Sequence, residues 1–414
     1  MTQNHNELSI LKRNPVALAC LLALTGISAN ALAQSATTSS GPLTLLASYT
    51  IETDSNLFRQ SSDNPAPLPQ GRTSGAEQIG VASLGLNFKT VQGLQQFDAN
   101  VGLADTKYQN FDYLNYTATN YDAAWRWSVT PQWTGNLTTS RKETLNSFAD
   151  VTNLTQRNIR LNTATTLDTL YQIEGPWYVL AGLTLNKETN DQALTGFSDY
   201  SSNTTDGGVQ YRFASGSTIA LSERFTSGTY LNRAVPNASL LDDSYRQQDT
   251  DLRLHWVLGA SAADFFVTAV NRTHPNYGSR DFSGTDAGAS INWALSGKSA
   301  LSAGYQHTVS AWETADTNYQ EADTVTLGPV WQIEARTALR LQGRWSAVSY
   351  KGTPSAIPES TRKDNTQDMT LSLVWQPTPQ WNLVGAIQKA SRSSNAALQD
   401  YTDNIVSISA QFVF

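Results

Sequence analysis

Three histidines, His255, His274 and His307, are the most versatile chemical groups in the chain beyond residue 33. Held by a metal, or set beside a serine or a carboxylate, such groups could hydrolyse or transfer. Their spacing points to neither use. None lies in an H-E-x-x-H pattern, and no G-x-S-x-G elbow anchors a serine hydrolase. His255 falls between Arg253 and Val257 on the polar face of an alternating stretch, where a solvated histidine is expected. The acidic pairs Asp242-Asp243 and Glu321/Asp323 are the candidates for two-carboxylate chemistry, which needs a fixed separation across a site. Both pairs lie in or beside long polar connections, where charge keeps an exposed surface hydrated. The reading is therefore of a protein that is not an enzyme and has no metal site and no cofactor.

The elements that would position any site begin after a leader. Lys12 and Arg13 precede an apolar run from Pro15 to Ile27, and Ala31-Leu32-Ala33 supplies a small-x-small cleavage signature. This is the layout of a secretory signal peptide over residues 1–33, too short for a spanning helix. A lipoprotein signal at Cys20 fits less well, because Ala17 stands where a larger aliphatic residue is wanted. A short segment, 34–42, then leads into one domain, 43–414. Cys20 is the only cysteine, so the exported chain must be held by a large core or a closed sheet and not by disulfides. The mean hydropathy of −0.36 suits a soluble protein or a barrel that is apolar on alternate positions. The net charge of −7 argues against a nucleic-acid partner.

Periodicity separates those two. Leu43, Leu45, Ala47, Tyr49 and Ile51 form one apolar stripe; Ala82, Leu84, Leu86 and Phe88 form the next. Phe97, Ala99, Val101 and Leu103, then Tyr121, Ala123, Trp125, Trp127 and Val129, continue a two-residue period that marks half-buried strands. Eight short turns punctuate it, at Val91-Gln92-Gly93, Thr130-Pro131-Gln132, Glu174-Gly175-Pro176, Ser215-Gly216-Ser217, Gly259-Ala260-Ser261, Ser296-Gly297-Lys298, Glu334-Ala335-Arg336 and Pro377-Thr378-Pro379. The connections on the other side are longer and polar: Asp54–Ala76, Asn232–Gln247, Ser346–Asn365 and Ser391–Thr402. Eight turns pair sixteen strands, and a first and a last strand complete the set. The prediction is an all-β, antiparallel up-and-down transmembrane barrel of about 18 strands (16–18), with short periplasmic turns and long extracellular loops. Nine of the tryptophans, Trp125, Trp127, Trp133, Trp177, Trp256, Trp293, Trp331, Trp375 and Trp381, gather near the short turns, as an interfacial aromatic girdle would. Trp312 and Trp345 do not.

The chain ends N-I-V-S-I-S-A-Q-F-V-F, with Val406, Ile408, Ala410, Phe412 and Phe414 on one face of a strand. This ending resembles the C-terminal strand of bacterial outer-membrane barrels, which implies that Phe412 and Phe414 form the signal read by the barrel-assembly machinery. Outer-membrane lipids are the other implied partner. On the polar faces, Arg126, Arg160, Arg212, Arg253, Arg340 and Arg344 oppose Asp98, Asp122, Asp168, Asp264 and Asp286. These residues are expected to line a hydrated lumen of mixed charge, with no single-sign ring to select an ion.

One stretch carries family information. Asp54, Asn56, Leu57, Phe58 and Arg59, within D-S-N-L-F-R, resemble the D-x-N-hydrophobic-aromatic-R signature of EpsL-type outer-membrane barrels, a porin-like family associated with exopolysaccharide biosynthesis. The Tyr108–Tyr113 hairpin and the T-P-x-W turns at Thr130 and Thr378 are similar to that family too. The resemblance implies a hydrophilic conduit for a secreted polysaccharide in the outer membrane of a Gram-negative cell, working with periplasmic export proteins. It assigns no role to single motif residues. A general diffusion porin, with a loop such as Asp54–Ala76 folded inward, and a non-conducting structural or assembly barrel are the other readings.

Overall fold

The computed structural model describes residues 41–62, 67–149, 155–192, 195–314, 316–354 and 360–414; the predicted leader lies outside them. Eighteen strands follow one another. They are β1 (Leu43–Asp54), β2 (Glu77–Gln92), β3 (Gln95–Tyr108), β4 (Tyr116–Thr130), β5 (Trp133–Leu145), β6 (Ile159–Glu174), β7 (Trp177–Asn190), β8 (Tyr200–Arg212) and β9 (Thr218–Tyr230). The second half holds β10 (Ser244–Leu258), β11 (Ser261–Thr273), β12 (Phe282–Ala294), β13 (Ser299–Ala311), β14 (Tyr319–Glu334), β15 (Thr337–Lys351), β16 (Lys363–Trp375), β17 (Trp381–Ser394) and β18 (Tyr401–Val413). Each strand pairs antiparallel with its sequence neighbours, and β1 pairs with both β2 and β18. The sheet is thus a closed ring with no free edge, the form a sheet must take where water cannot satisfy its backbone groups.

The eight predicted short turns all join strands. Several reverse on glycines with positive φ, such as Gly175 at 53° and Gly259 at 64°, a region other residues enter at a cost. The ring closes in one register, from Leu46 opposite Val413 to Asp54 opposite Ile405. A slip of one residue would turn every side chain of a strand to the wrong face.

Alternation fixes those faces. In β18, Ile405 is 2 % exposed and Val406 is 52 % exposed, and the same step repeats between Ser407 and Ile408. The exposed set in β1 is Leu43, Leu45, Tyr49 and Ile51, and in β2 it includes Leu84 and Leu86. Every strand carries such a stripe from the short-turn end upward, so the outer wall is an apolar belt. Trp133, Trp177, Trp256, Trp293, Trp331, Trp375 and Trp381 are exposed on it beside the short turns. Their rings meet other aromatics there: Trp177 against Tyr211 at 5.0 Å, and Trp381 against Phe412 at 4.9 Å. Trp312 instead packs against Tyr350 among the loops, and Trp345 sits mid-strand in β15. No helix among the described residues is long and apolar enough to cross a membrane.

Three expected loops are shorter than the sequence suggests. The connections are 231–243, 352–362 and 395–400, because β10, β15, β16, β17 and β18 extend into polar sequence. Backbone pairing does not stop at the top of the apolar belt; only the outward side chains change, to residues such as Lys107, Glu143, Lys187 and Asp323. Glu321 and Asp323 accordingly lie within β14.

Leu84 is the middle residue of the outward stripe of β2 and is 59 % exposed. Leu84→Arg should destabilise the barrel by about 2–4 kcal/mol, the cost of a cation at bilayer mid-depth. Urea unfolding in lipid vesicles measures this, and an unchanged midpoint would contradict the assignment of the lipid face.

Candidate functional site: the mouth and the inner wall

The D-S-N-L-F-R stretch closes the ring at its extracellular end. The Arg59 guanidinium donates through Nη1 to both Asp54 oxygens at 3.1 and 3.0 Å, and Nη2 lies 3.0 Å from Asp403 Oδ2 as an ion pair. All three side chains are essentially buried. Ser55 Oγ donates to Asp403 Oδ1 at 3.0 Å, and the Asn56 amide N–H donates to Asp54 and to Asp403. The Asn56 side chain donates to the carbonyls of Gln60 and Thr402. Arg59 holds φ at 53°, a left-handed backbone that brings its side chain back under the loop. Residues 54–60 of the first strand end are therefore sewn to Thr402–Asn404 of the last. Two carboxylates share one fixed guanidinium, a charge-assisted arrangement that costs little only while all partners are present.

Leu57 and Phe58 point the other way, into a buried cluster with Ile79, Tyr108, Phe111, Leu114 and Phe148. Phe58 meets Phe111 edge-on at 4.8 Å and Phe148 at the same distance. Glu77 caps this cluster by accepting from the backbone N–H groups of Asn110 and Phe111. The loops after β1, β3 and β5 thus share one core inside the mouth. The third reaches farther: Arg392 of β17 donates to the Ala149 carbonyl. β5 and β17 are six strands apart around the ring, so this contact carries the loop across the opening. Arg392 is held in turn by the carbonyl and side chain of Gln399.

The loops after β9, β11 and β13 form a second knot. Arg280 is fully buried and donates to the carbonyls of Ser239, Leu240, Thr314 and Thr317. Asp242, also fully buried, accepts from the backbone N–H groups of Asn276 and Tyr277 and from the Asn276 side chain. Glu313 takes an ion pair from Arg233, a hydrogen bond from Tyr230 at 3.0 Å, and a contact from His274 Nε2 at 3.3 Å. Burial pushes the Glu313 carboxyl up, but the bonds and charges of His274 and Arg233 outweigh it and hold it at about 2. Asp242, half of one predicted acidic pair, serves as a loop anchor.

The inner wall carries the predicted arginines and aspartates, all on the face opposite the lipid stripe. Arg126 pairs with Asp98, and Asp122 accepts from Asn100 at 2.7 Å. Arg160 lies 3.4 Å from Glu188, and Arg212 stacks 4.4 Å over Tyr178. Arg253 pairs with Asp251, and Arg344 stands beside Asp368 in register. Arg340 stands between Val330 and Ser372. Asp168 stands between Asn136 and Gly182 in register, and Asp286 accepts from the Val309 N–H at 2.7 Å. Some of these charges are paired, between adjacent strands at Arg126–Asp98 and Arg160–Glu188 and within one strand at Arg253–Asp251. His255 is not simply solvated: its Nδ1 lies 2.7 Å from Asp264. His307 points outward, 2.9 Å from Asp323, which also accepts from the Tyr305 hydroxyl.

Asp403, Arg392, Arg280 and Glu313 are the residues that sequence reasoning passed over. Arg59 and Asp403 are separated by most of the chain, and nothing local to either marks the partner. Phe412 and Phe414 stack edge-on at 4.6 Å on the closing strand, with Phe414 fully outward.

A closed 18-stranded barrel with an apolar outer belt, an aromatic girdle and a polar inner wall is an outer-membrane β-barrel of porin-like architecture. Among solved structures, Pseudomonas aeruginosa OccK1 (OpdK) matches with a TM-score of 0.50 over 90% of this chain and 98% of that chain, at 12% identity. OccK3 (OpdO) from the same organism matches with a TM-score of 0.50 over 90% and 96%, at 17% identity. A structure of OpdK with vanillate also matches at 0.50, over 90% and 99%, with 12% identity. Likeness at these identities is one of fold. No protein-family model and no curated protein sequence matches the chain. The EpsL-type association therefore gains no support beyond the motif, whose residues have a closing role in this barrel.

Arg59→Ala leaves Asp54 and Asp403 buried without their cation and should cost about 3–5 kcal/mol. The temperature at which the folded, fast-migrating gel band converts to the unfolded one reads this. A variant that converts at the wild-type temperature would show that the clasp does not hold the seam.

Proposed function

We propose that the protein is a non-enzymatic outer-membrane channel for small polar solutes. The observation that carries this reading is an inner wall of charged and polar side chains beneath a mouth narrowed by a loop that crosses to Arg392. A barrel of this strand number has room for water, whereas eight strands fill with side chains. Charges of both signs leave the wall wettable, with no single-sign ring to select an ion. The fold likeness to OccK1 (OpdK) and OccK3 (OpdO) supports the same reading, and vanillate, a small aromatic carboxylate, is found with OpdK. In this reading Arg126, Arg160, Arg212, Arg253, Arg340, Arg344, Asp98 and Asp122 line the path. Outer-membrane lipids and the barrel-assembly machinery, which would read Phe412 and Phe414, are the partners it needs.

A second reading, a conduit for an exopolysaccharide served by periplasmic export proteins, rests on the resemblance of Asp54–Arg59. A polymer would need the crossing loop to move aside, and the pinned mouth favours small solutes.

Planar-bilayer recording tests the channel. Wild-type protein should give discrete conductance steps, and Arg392→Ala, which frees the crossing loop, should give larger and noisier ones. Silent membranes at high protein density would sink the channel reading in favour of a structural barrel. Gene deletion separates the two solutes: loss of secreted polymer with unchanged small-solute uptake would favour the polysaccharide.

A further inference from the structure

The outer wall bears an open recess above the lipid belt on strands β8 to β11, lined by Phe225 and by residues of polar type. Its volume is about 480 Å³. Register builds it in rows of outward-facing residues. The upper row is Asn203, Ser227, Arg246 and Thr273. Below it come Thr205, Phe225, Gln248 and Asn271, and then Gly207, Glu223, Thr250 and Ala269. The next row, Val209, Leu221, Leu252 and Val267, is wholly apolar and exposed. It is the upper edge of the lipid belt in this sector.

Two features mark the recess. Several charged residues elsewhere above the belt have a partner beside them: Lys107 has Asp105 at 3.2 Å, Arg141 has Glu143 at 2.6 Å, and His307 has Asp323. Here the Arg246 guanidinium and the amides of Asn203 and Asn271 have no side-chain partner among the described residues. The recess also sorts its charge. Glu223, at the lower edge, already accepts from Gln248 Nε2 at 2.6 Å and Thr250 Oγ1 at 2.8 Å. Arg246 is four residues farther up the strand pair, roughly 13 Å away. Between them Phe225 lays an exposed ring flanked by amides and hydroxyls.

We propose that this recess binds the phosphorylated sugar headgroup of an outer-leaflet glycolipid. Arg246 takes a phosphate oxygen by charge-assisted hydrogen bonds, the strongest contact such a wall can offer. The ring of Phe225 presents a flat face to the sugar, and Asn203, Asn271 and Gln248 meet its hydroxyls. Glu223 keeps phosphate away from the lower edge and accepts a sugar hydroxyl or amide N–H. The acyl chains then lie on Val209, Leu221, Leu252 and Val267, directly below, which ties the recess to a membrane lipid and not to a free sugar phosphate. The site faces away from the lumen and does not depend on what the channel passes.

The test uses full-length protein, folded in detergent, with bisphosphorylated lipid A, its dephosphorylated form and phosphatidylglycerol as probes in native mass spectrometry. Wild type should retain bisphosphorylated lipid A in preference to the other two. Arg246→Ala should weaken it by about tenfold, and removal of the phosphates should weaken wild type to a similar degree. Asn271→Ala should weaken both forms of lipid A equally. The heat-modifiable gel band reports that each variant is folded. Equal retention by wild type and Arg246→Ala overturns the proposal. So does equal retention of phosphatidylglycerol and lipid A, or a change of oligomeric state with unchanged lipid retention, which would mark the recess as a contact between copies. Competition by inorganic phosphate alone, without need of the acyl chains, would equally contradict a lipid site.

Discussion

A sheet in a bilayer has no water to satisfy its edge, and that constraint organises this molecule. Every strand finds both of its partners among its sequence neighbours except the first and the last, which each have only one such neighbour. β1 and β18 must therefore find each other across the whole length of the chain, and nine residue pairs join them. The backbone pairing alone could slip along the seam. The buried Arg59, held on the β1 side by Asp54, favours one register, because any slip along the seam strands Asp403 away from that cation. The Thr50 to Ser409 hydroxyl bond at 2.9 Å sets the same register from inside the wall.

The mouth obeys a related rule. Loops that fold inward bury backbone carbonyls and N–H groups that need partners. Arg280 answers four carbonyls with one guanidinium, and Asp242 answers two N–H groups with one carboxylate. Rigid loops of this kind narrow a wide barrel without a separate plug. The same residues that brace the mouth thereby shape the entrance of the proposed channel. The inner wall below is braced in part by pairs between adjacent strands.

Much of the architecture was legible in the chain because β-barrels write their geometry locally. Alternation in Val406, Ile408, Ala410, Phe412 and Phe414 names the lipid face, and the tryptophans name the short-turn end. Strand ends were legible only to the top of the apolar belt, since pairing continues where the outward residues turn polar. The site was less legible. Asp54, Asn56 and Arg59 were visible as a motif, but their meaning depends on Asp403, near the other end of the chain. Arg392 and Ala149 meet only because the ring brings β17 near a loop six strands away. Asp242 looked like one of a catalytic pair, and only the backbone of 276–277 shows it to be an anchor. Charge type could be read from the sequence, while pairing across neighbouring strands required the register.

The closed seam is most directly tested by linking it. Thr50 and Ser409 face each other in register, and the predicted mature chain has no cysteine of its own. With Thr50→Cys and Ser409→Cys together, mild oxidation of outer-membrane fractions should form an intramolecular disulfide in most molecules, seen as altered gel mobility that reductant reverses. The pair Thr50→Cys and Ile408→Cys, which point to opposite faces, should not link. Absence of the first disulfide in folded protein, or equal linking of both pairs, would contradict a barrel closed between its first and last strands.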